Sequence, residues 1–406
     1  MLHCGEVPAE EIAQRFGTPL YVYDIRHIEA RVRRFLDTFA AADPLLAYSV
    51  KANGNLSILR RLGAMGCGAD ITSRGELFRS LRAGIRAERT VFAGVGKTAE
   101  EMRDALVAGI FSFNVESAGE LVLLDQVATD MGVRAPFGVR VNPDVLSPTP
   151  HEYTATGHAA TKFGVPLLEA ADLYRWAASR PSLRARGLDV HIGSQIVEAA
   201  PYLRALERVL GLAGELKGEG IVLEYLDIGG GYGISYDGGA ELDLVALAAE
   251  VVPRVKGAGL KLILEPGRSV VGDGGILLTR VQYVKRAGKT FVIVDGGMTE
   301  LIRPSHYGGY HAIERADTRR ARPIETVDVV GPVCETGDFL ARDRALDVPE
   351  VGELLAVRTV GAYGFSMASN YNGRPRSAEC MVDGAEVTLV RRRETLEDLV
   401  RGEDVP

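Results

Sequence analysis

Eight short apolar runs, with amphipathic stretches between most of them, constrain this chain more than any other feature. They fall at 45–50, 68–71, 90–93, 111–115, 137–141, 188–192, 223–228 and 261–264. Segments 99–108, 117–129, 166–179, 201–217 and 242–256 carry the apolar spacing of helices packed on one face. Near-continuous apolar strands alternating with helices belong to a parallel sheet covered on both sides. Eight such units in roughly 240 residues predict a TIM-type (β/α)8 barrel. An open, doubly wound sheet is the alternative pattern.

The rhythm changes after Gly267. Strand-like runs at 276–285, 290–294, 326–330, 353–360, 379–382 and 386–391 follow one another without strong helices, separated by Gly, Pro and Asp clusters. This predicts a mostly antiparallel β-sandwich or β-barrel domain. The early run 19–23 is placed with it. The expected division is therefore a barrel over 25–266 and a β domain built from 1–24 and 267–406.

Composition narrows the functional classes. Apolar residues make up 46% and charged residues 25%, which excludes a disordered chain. The net charge is −7 with no long basic run, so nucleic acid is not an expected partner. No apolar run approaches the ~20 residues of a membrane helix, and the N-terminus lacks a signal-peptide pattern, so a cytoplasmic location is expected. Cys4, Cys67, Cys334 and Cys380 have no CxxC spacing, so neither a disulfide framework nor a metal site is expected.

In such a barrel, chemistry sits at the C-terminal ends of the strands. Those positions hold Lys51 in YSVKAN, Asp70, His191 in HIGSQ, the run Gly229–Gly233, and Glu265 in EPGR. Only eight of the 47 basic residues are lysines, which draws attention to Lys51. A desolvated lysine can form an imine with an aldehyde. Glycine-rich backbone can present N–H groups to a phosphate. A carboxylate can keep a pyridine nitrogen protonated, and an imidazole can stack on a flat ring. Singly, each residue has an ordinary structural explanation; together they match what pyridoxal 5′-phosphate requires. An acid at the pyridine nitrogen makes a strong electron sink, which suits decarboxylation better than racemisation.

The ordered motifs YSVKAN, HIGSQI, DIGGGYGISY, EPGR, VCETGD and GAYGFSMASNYN resemble the fold-type III pyridoxal-phosphate decarboxylases, over nearly the whole chain from Gly17 to Leu399. The resemblance implies that Lys51 carries the cofactor, with Asp70 in the cofactor site and His191 against the ring. It further implies that Ser194, Gly230, Gly231, Gly267 and Arg268 hold the phosphate and that Glu265 pairs with the ring nitrogen. Tyr363 is implied to touch cofactor and substrate. Arg268, Arg303 and Tyr307 would bind the distal carboxylate of an amino-acid substrate and Glu335 its distal ammonium, while Cys334 would donate a proton to the α-carbon. Cys334 and Glu335 are implied to reach the site from the neighbouring subunit of a homodimer. The reaction so implied is decarboxylation of meso-2,6-diaminoheptanedioate to L-lysine and CO2.

Three positions depart from the family pattern: Ser49 in YSVKAN where alanine is commoner, Thr336 in VCETGD where serine is usual, and Ser305-His306 beside Arg303. The last pair bears on the substrate more than on the reaction. A decarboxylase of the same fold acting on another amino acid or a carrier-bound glutamyl group is the alternative, and a non-catalytic regulator a remote one. His306 and His311 read as loop residues without ligand spacing. The segment TGHAATKFGV, with His158 and Lys162, reads as a loop that closes over the site.

Overall fold

The computed structural model describes residues 1–145, 151 and 161–405; His158 lies outside them. These residues form two compact units: Arg31–Ile234 with Ala240–Ser269, and Met1–Ala30 with Ser235–Gly239 and Val270–Pro406. The first division falls inside a helix, Ile25–Thr38, which follows directly on the strand Leu20–Asp24. It is displaced from the expected 24/25 because an apolar strand running straight into a helix leaves no linker to read.

In the first unit eight parallel strands close on themselves. They are β1 Leu45–Ser49, β2 Gly68–Ile71, β3 Thr90–Phe92, β4 Ser112–Val115, β5 Ala135–Asn142, β6 Leu183–Asp189, β7 Tyr225–Asp227 and β8 Lys261–Leu264. Each pairs with the next, and β8 pairs with β1, so no edge remains and the open doubly wound sheet is excluded. Helices begin where a short polar residue can cap them. Asn55, Ser73, Thr98, Ser117 and Asp243 each accept a backbone N–H from the first turn that follows. Part of the interior is apolar, with Leu45, Ala47, Val91, Tyr225 and Ile263 packed together.

β6 departs from expectation. The apolar run at 188–192 predicts a strand there, but the strand starts at Leu183 and ends at Asp189. Its first half, LRARG, is polar because Arg184 and Arg186 point outward and pair with Glu224 at 2.5 and 2.8 Å. His191 therefore stands just beyond the strand, in the loop.

The second unit is a nine-stranded, mostly antiparallel sheet. Gly275–Ala287 is its long central strand, pairing antiparallel with Leu20–Asp24, Lys289–Val294 and Leu354–Val357. Two pairings are parallel: Leu20–Asp24 with Ala378–Asp383, and Lys289–Val294 with Ile324–Val330. Its core gathers Leu20, Val22, Ile276, Leu278, Ala356, Cys380 and Val382. The run expected at 353–360 stops at Val357, since Thr359 takes a left-handed backbone (φ 58°) that ends the strand. Phe339–Asp347 is a strand that apolar content does not reveal, because charged residues occupy its exposed face.

Candidate active site

Lys51 follows β1 in a single 3-10 turn, Val50–Ala52. Its Nζ donates to Asp70 Oδ2 at 2.9 Å, and Asp70, on β2, is wholly buried. Ser49 Oγ lies 2.6 Å from the same oxygen and donates to it. The serine that departs from the family pattern thus adds a hydrogen bond to the lysine's counter-ion.

The loop after β7 is built on glycine for steric reasons. A Cβ on Gly230 would lie 2.2 Å from the carbonyl oxygen of Glu265, and one on Gly231 would lie 2.1 Å from that of Gly193. Gly231 also has φ +86°, a backbone conformation that side chains disfavour. Two stacked tyrosines, their rings 5.6 Å apart, fix this loop from below. Tyr202 donates to the Gly230 carbonyl at 2.9 Å, and Tyr232 to that of Gly229 at 3.0 Å.

The Gly230 N–H donates to His191 Nδ1 at 3.0 Å. A neutral His191 therefore carries its proton on Nε2. The residue is partly exposed, yet burial in the barrel, and then the charges of Arg140 and Lys51, hold its pKa well below that of free imidazole. The imidazole is neutral at physiological pH. Arg268 Nη2 donates to Ser194 Oγ at 3.1 Å, which places a guanidinium beside the hydroxyl expected at a phosphate. Gly267, between Glu265 and Arg268, is buried.

Glu265 follows β8 and is buried, with Oε1 lacking a hydrogen-bond partner among the described residues. Beside it stand Asp189 and Asp227, the last residues of β6 and β7. The three can bring carboxylate oxygens within 4.8 Å of one another. Three acids at that spacing can hold a cation, a possibility that ligand spacing in the sequence does not reveal. Arg140 is 4.0 Å from Asp189 but closer, 3.1 Å, to Glu116. Burial and mutual repulsion raise the pKa of Asp189 and of Glu265 well above the usual carboxylate range; burial raises Asp227 to about 6. Neither Asp189 nor Asp227 is singled out by sequence reasoning. Asp189 lies inside an apolar run just before HIGSQI, and Asp227 is the first residue of DIGGGYGISY; those positions are the available signal.

This geometry fits the parts of pyridoxal phosphate. Lys51 offers an amine, the partnerless Glu265 oxygen suits a protonated ring nitrogen, and Ser194, Arg268 and the glycine backbone suit a phosphate.

The second unit holds the other expected residues. Arg303 opens the short helix Arg303–Tyr307 and is buried. Tyr307 is half-buried against the ring of His306, with centroids 4.4 Å apart. Tyr363 has a left-handed backbone (φ 56°). Cys334 and Glu335 are exposed on the loop VCETGD. Asp338 clamps that loop by accepting from the N–H groups of Val333 and Met298, each at 2.6 Å. The Cys334 N–H donates to Asn372 Oδ1 at 3.0 Å. His311 lies in a loop, as expected, and is wholly buried.

Residues 25–272 match the family model of the pyridoxal-dependent decarboxylase, pyridoxal binding domain. The chain is 49% identical to a diaminopimelate decarboxylase of Neisseria meningitidis serogroup B, over 99% of this chain and 97% of that one. The chain belongs to the diaminopimelate decarboxylase family. A Pseudomonas aeruginosa member is 48% identical, over 98% of this chain and 96% of that one. The crystal structure of the Helicobacter pylori family member complexed with L-lysine superposes with a TM-score of 0.93 and 40% identity, covering 97% of this chain and 98% of that one. The family membership and the closed barrel agree with what the sequence motifs imply. Among the described residues no helix is long and apolar enough to cross a membrane.

Proposed function

We propose that this chain removes CO2 from meso-2,6-diaminoheptanedioate to give L-lysine, the last step of lysine biosynthesis, with pyridoxal phosphate as its cofactor and in the cytoplasm. Relatives covering nearly the full length carry that activity in their names, and two solved family members hold L-lysine. The observation that carries the reading is the barrel's pairing of an amine with a buried acid that has one oxygen to offer. Lys51 sits on buried Asp70, and Glu265 Oε1 is buried without a partner among the described residues.

Bound pyridoxal phosphate supplies an electron sink for the pair left behind when the carboxylate departs as CO2. Lys51 would hold the cofactor, and Asp70 keeps its amine in place. Glu265 would hold a proton at the ring nitrogen, and its raised pKa favours keeping that proton in the site. Neutral His191 would pack on the ring without adding charge. Arg268, Arg303 and Tyr307 take the distal carboxylate, Glu335 takes the distal ammonium, and charge-assisted pairing at both ends selects a distal zwitterion. The Cys334 thiol gives the α-carbon its proton. Cys334 and Glu335 come from the partner subunit of a homodimer, so neither protomer is complete alone.

A panel of amino diacids and diamino acids, assayed for CO2 and for the amine formed, tests the reading. The expected result is L-lysine from meso-2,6-diaminoheptanedioate, with far slower turnover of ornithine, lysine and glutamyl derivatives. Lys51→Ala should abolish release and remove the visible band of the bound cofactor. Preference for another amino acid would move the chain to a different substrate within the fold, and retention of activity by Lys51→Ala would refute the assignment.

A further inference from the structure

We infer that His311 is a positioning residue for Arg303, aiming its guanidinium at the distal carboxylate of the substrate; this rests on the role proposed above for Arg303. The two side chains meet inside the second unit, where His311 is fully buried and Arg303 is 8% exposed. Arg303 Nη1 lies 2.7 Å from His311 Nε2. A guanidinium only donates, so Nε2 accepts. The ring proton is then on Nδ1, which donates to the Arg358 carbonyl at 2.8 Å. Both nitrogens are thereby assigned, and the imidazole in this pair is neutral.

The backbone turns to make this possible. Gly308 takes φ +60°, and the Gly309 N–H donates to the Arg303 carbonyl at 3.1 Å, bringing the chain back towards the start of the short helix. Arg344 Nη1 then pins the His311 carbonyl at 2.7 Å. Tyr236 completes the setting. Its ring lies 4.7 Å from the Arg303 guanidinium and meets the His311 ring edge-on at 5.3 Å. The guanidinium is thus fixed at one nitrogen and against one ring. A neutral acceptor directs it without cancelling its charge, whereas a carboxylate in the same place would neutralise the cation that the substrate needs.

Holoenzyme variants test this through the split between KM and kcat. Arg303→Lys should raise KM for meso-2,6-diaminoheptanedioate about tenfold or more, because a lysine cannot reproduce a bidentate fork. His311→Asn, which lacks an acceptor at the Nε2 position, should raise KM about fivefold while kcat and the cofactor band stay near the parent values. His311→Gln, whose amide oxygen can reach that position, should bring KM back to within about twofold of the parent. The double variant His311→Asn/Arg303→Lys should be no worse than Arg303→Lys alone, since the histidine acts through the arginine. An unchanged KM in His311→Asn, with KM raised in Arg303→Lys, overturns the positioning role and leaves the reading of Arg303 standing. An unchanged KM in Arg303→Lys overturns both. Additive losses in the double variant, or loss of the cofactor band in His311→Asn, also overturn it. If His311→Asn does not fold, a rise above about fivefold in the KM of His311→Gln does the same.

Discussion

Asp227 stands where an ionised carboxylate is least stable. It is fully buried, it shares its space with Asp189 and Glu265, and its Oδ2 has no hydrogen-bond partner among the described residues. Its pKa is raised to about 6, chiefly by burial, against about 3.9 for an unfolded aspartate. Between those values the folded protein binds more protons than the unfolded chain, so this group lowers stability as pH rises from about 4 to 6. Asp227→Asn keeps an oxygen for the Gly229 N–H, now 2.9 Å from Oδ1, and removes the charge. Thermal melts should show the variant more stable than the parent at pH 8, by up to about 3 kcal/mol, with the gain shrinking as pH falls through 6 towards 4. A gain of constant size across that range would mean the charge is not its origin. The candidate site residues Lys51, Asp70, His191 and Glu265 could be picked out in the sequence because each stands at or near a strand end. Asp189 could not, since a buried carboxylate inside an apolar run carries no pattern of its own, and Asp227 heads DIGGGYGISY, where the glycines draw the attention. The burial of His311 was not legible for a related reason: loop sequence says where the backbone is irregular, not whether the side chain is buried.

The glycine loop after β7 joins local conformation to the site. At Gly231 any side chain meets the Gly193 carbonyl and a left-handed backbone at once. Gly231→Ala should therefore weaken cofactor retention by about tenfold or more and lower the melting temperature of the protein, as strain at a special backbone position commonly does. Equilibrium dialysis against pyridoxal phosphate, read beside a thermal melt, checks both; unchanged retention would remove this loop from the phosphate site. Among the elements, the barrel was the more legible half. Its strands are buried on both faces and read as apolar runs with capped helices between them. The β unit was less legible because its strands have an exposed face. Phe339–Asp347 carries the consecutive charges Arg342-Asp343-Arg344 at its middle, so its sequence resembles a loop. β6 misleads in the same way, with arginines in its first half.

The proposed dimer makes a prediction about the whole molecule. If Cys334 serves the partner's site, each protomer supplies Lys51 to one site and Cys334 to the other. Lys51→Ala and Cys334→Ala proteins, each inactive, should then complement when mixed and allowed to exchange subunits. At equal mixing up to about a quarter of the parental activity should return, because half the dimers are mixed and each has one intact site. No recovery, with exchange demonstrated by mass-tagged subunits, would place Cys334 in its own protomer's site or outside the chemistry.

The pairing of Leu20–Asp24 between Gly275–Ala287 and Ala378–Asp383 has a consequence in time as well as in space. One of the first strands to leave the ribosome must wait for one of the last, and the hydroxyl of Tyr23 bonds to Glu379 across 356 residues of chain. At ordinary rates of synthesis that wait is on the order of half a minute. For most of it an apolar LYVY segment has neither of its neighbours, because Gly275–Ala287 is made only after the barrel, while the barrel strands emerge in order and can pair with what has just been made. The strand thus registers whether synthesis has passed Asp383. A chain released before that point keeps an open apolar strand that holdases and proteases can recognise, and Ala378–Asp383 is what hides it.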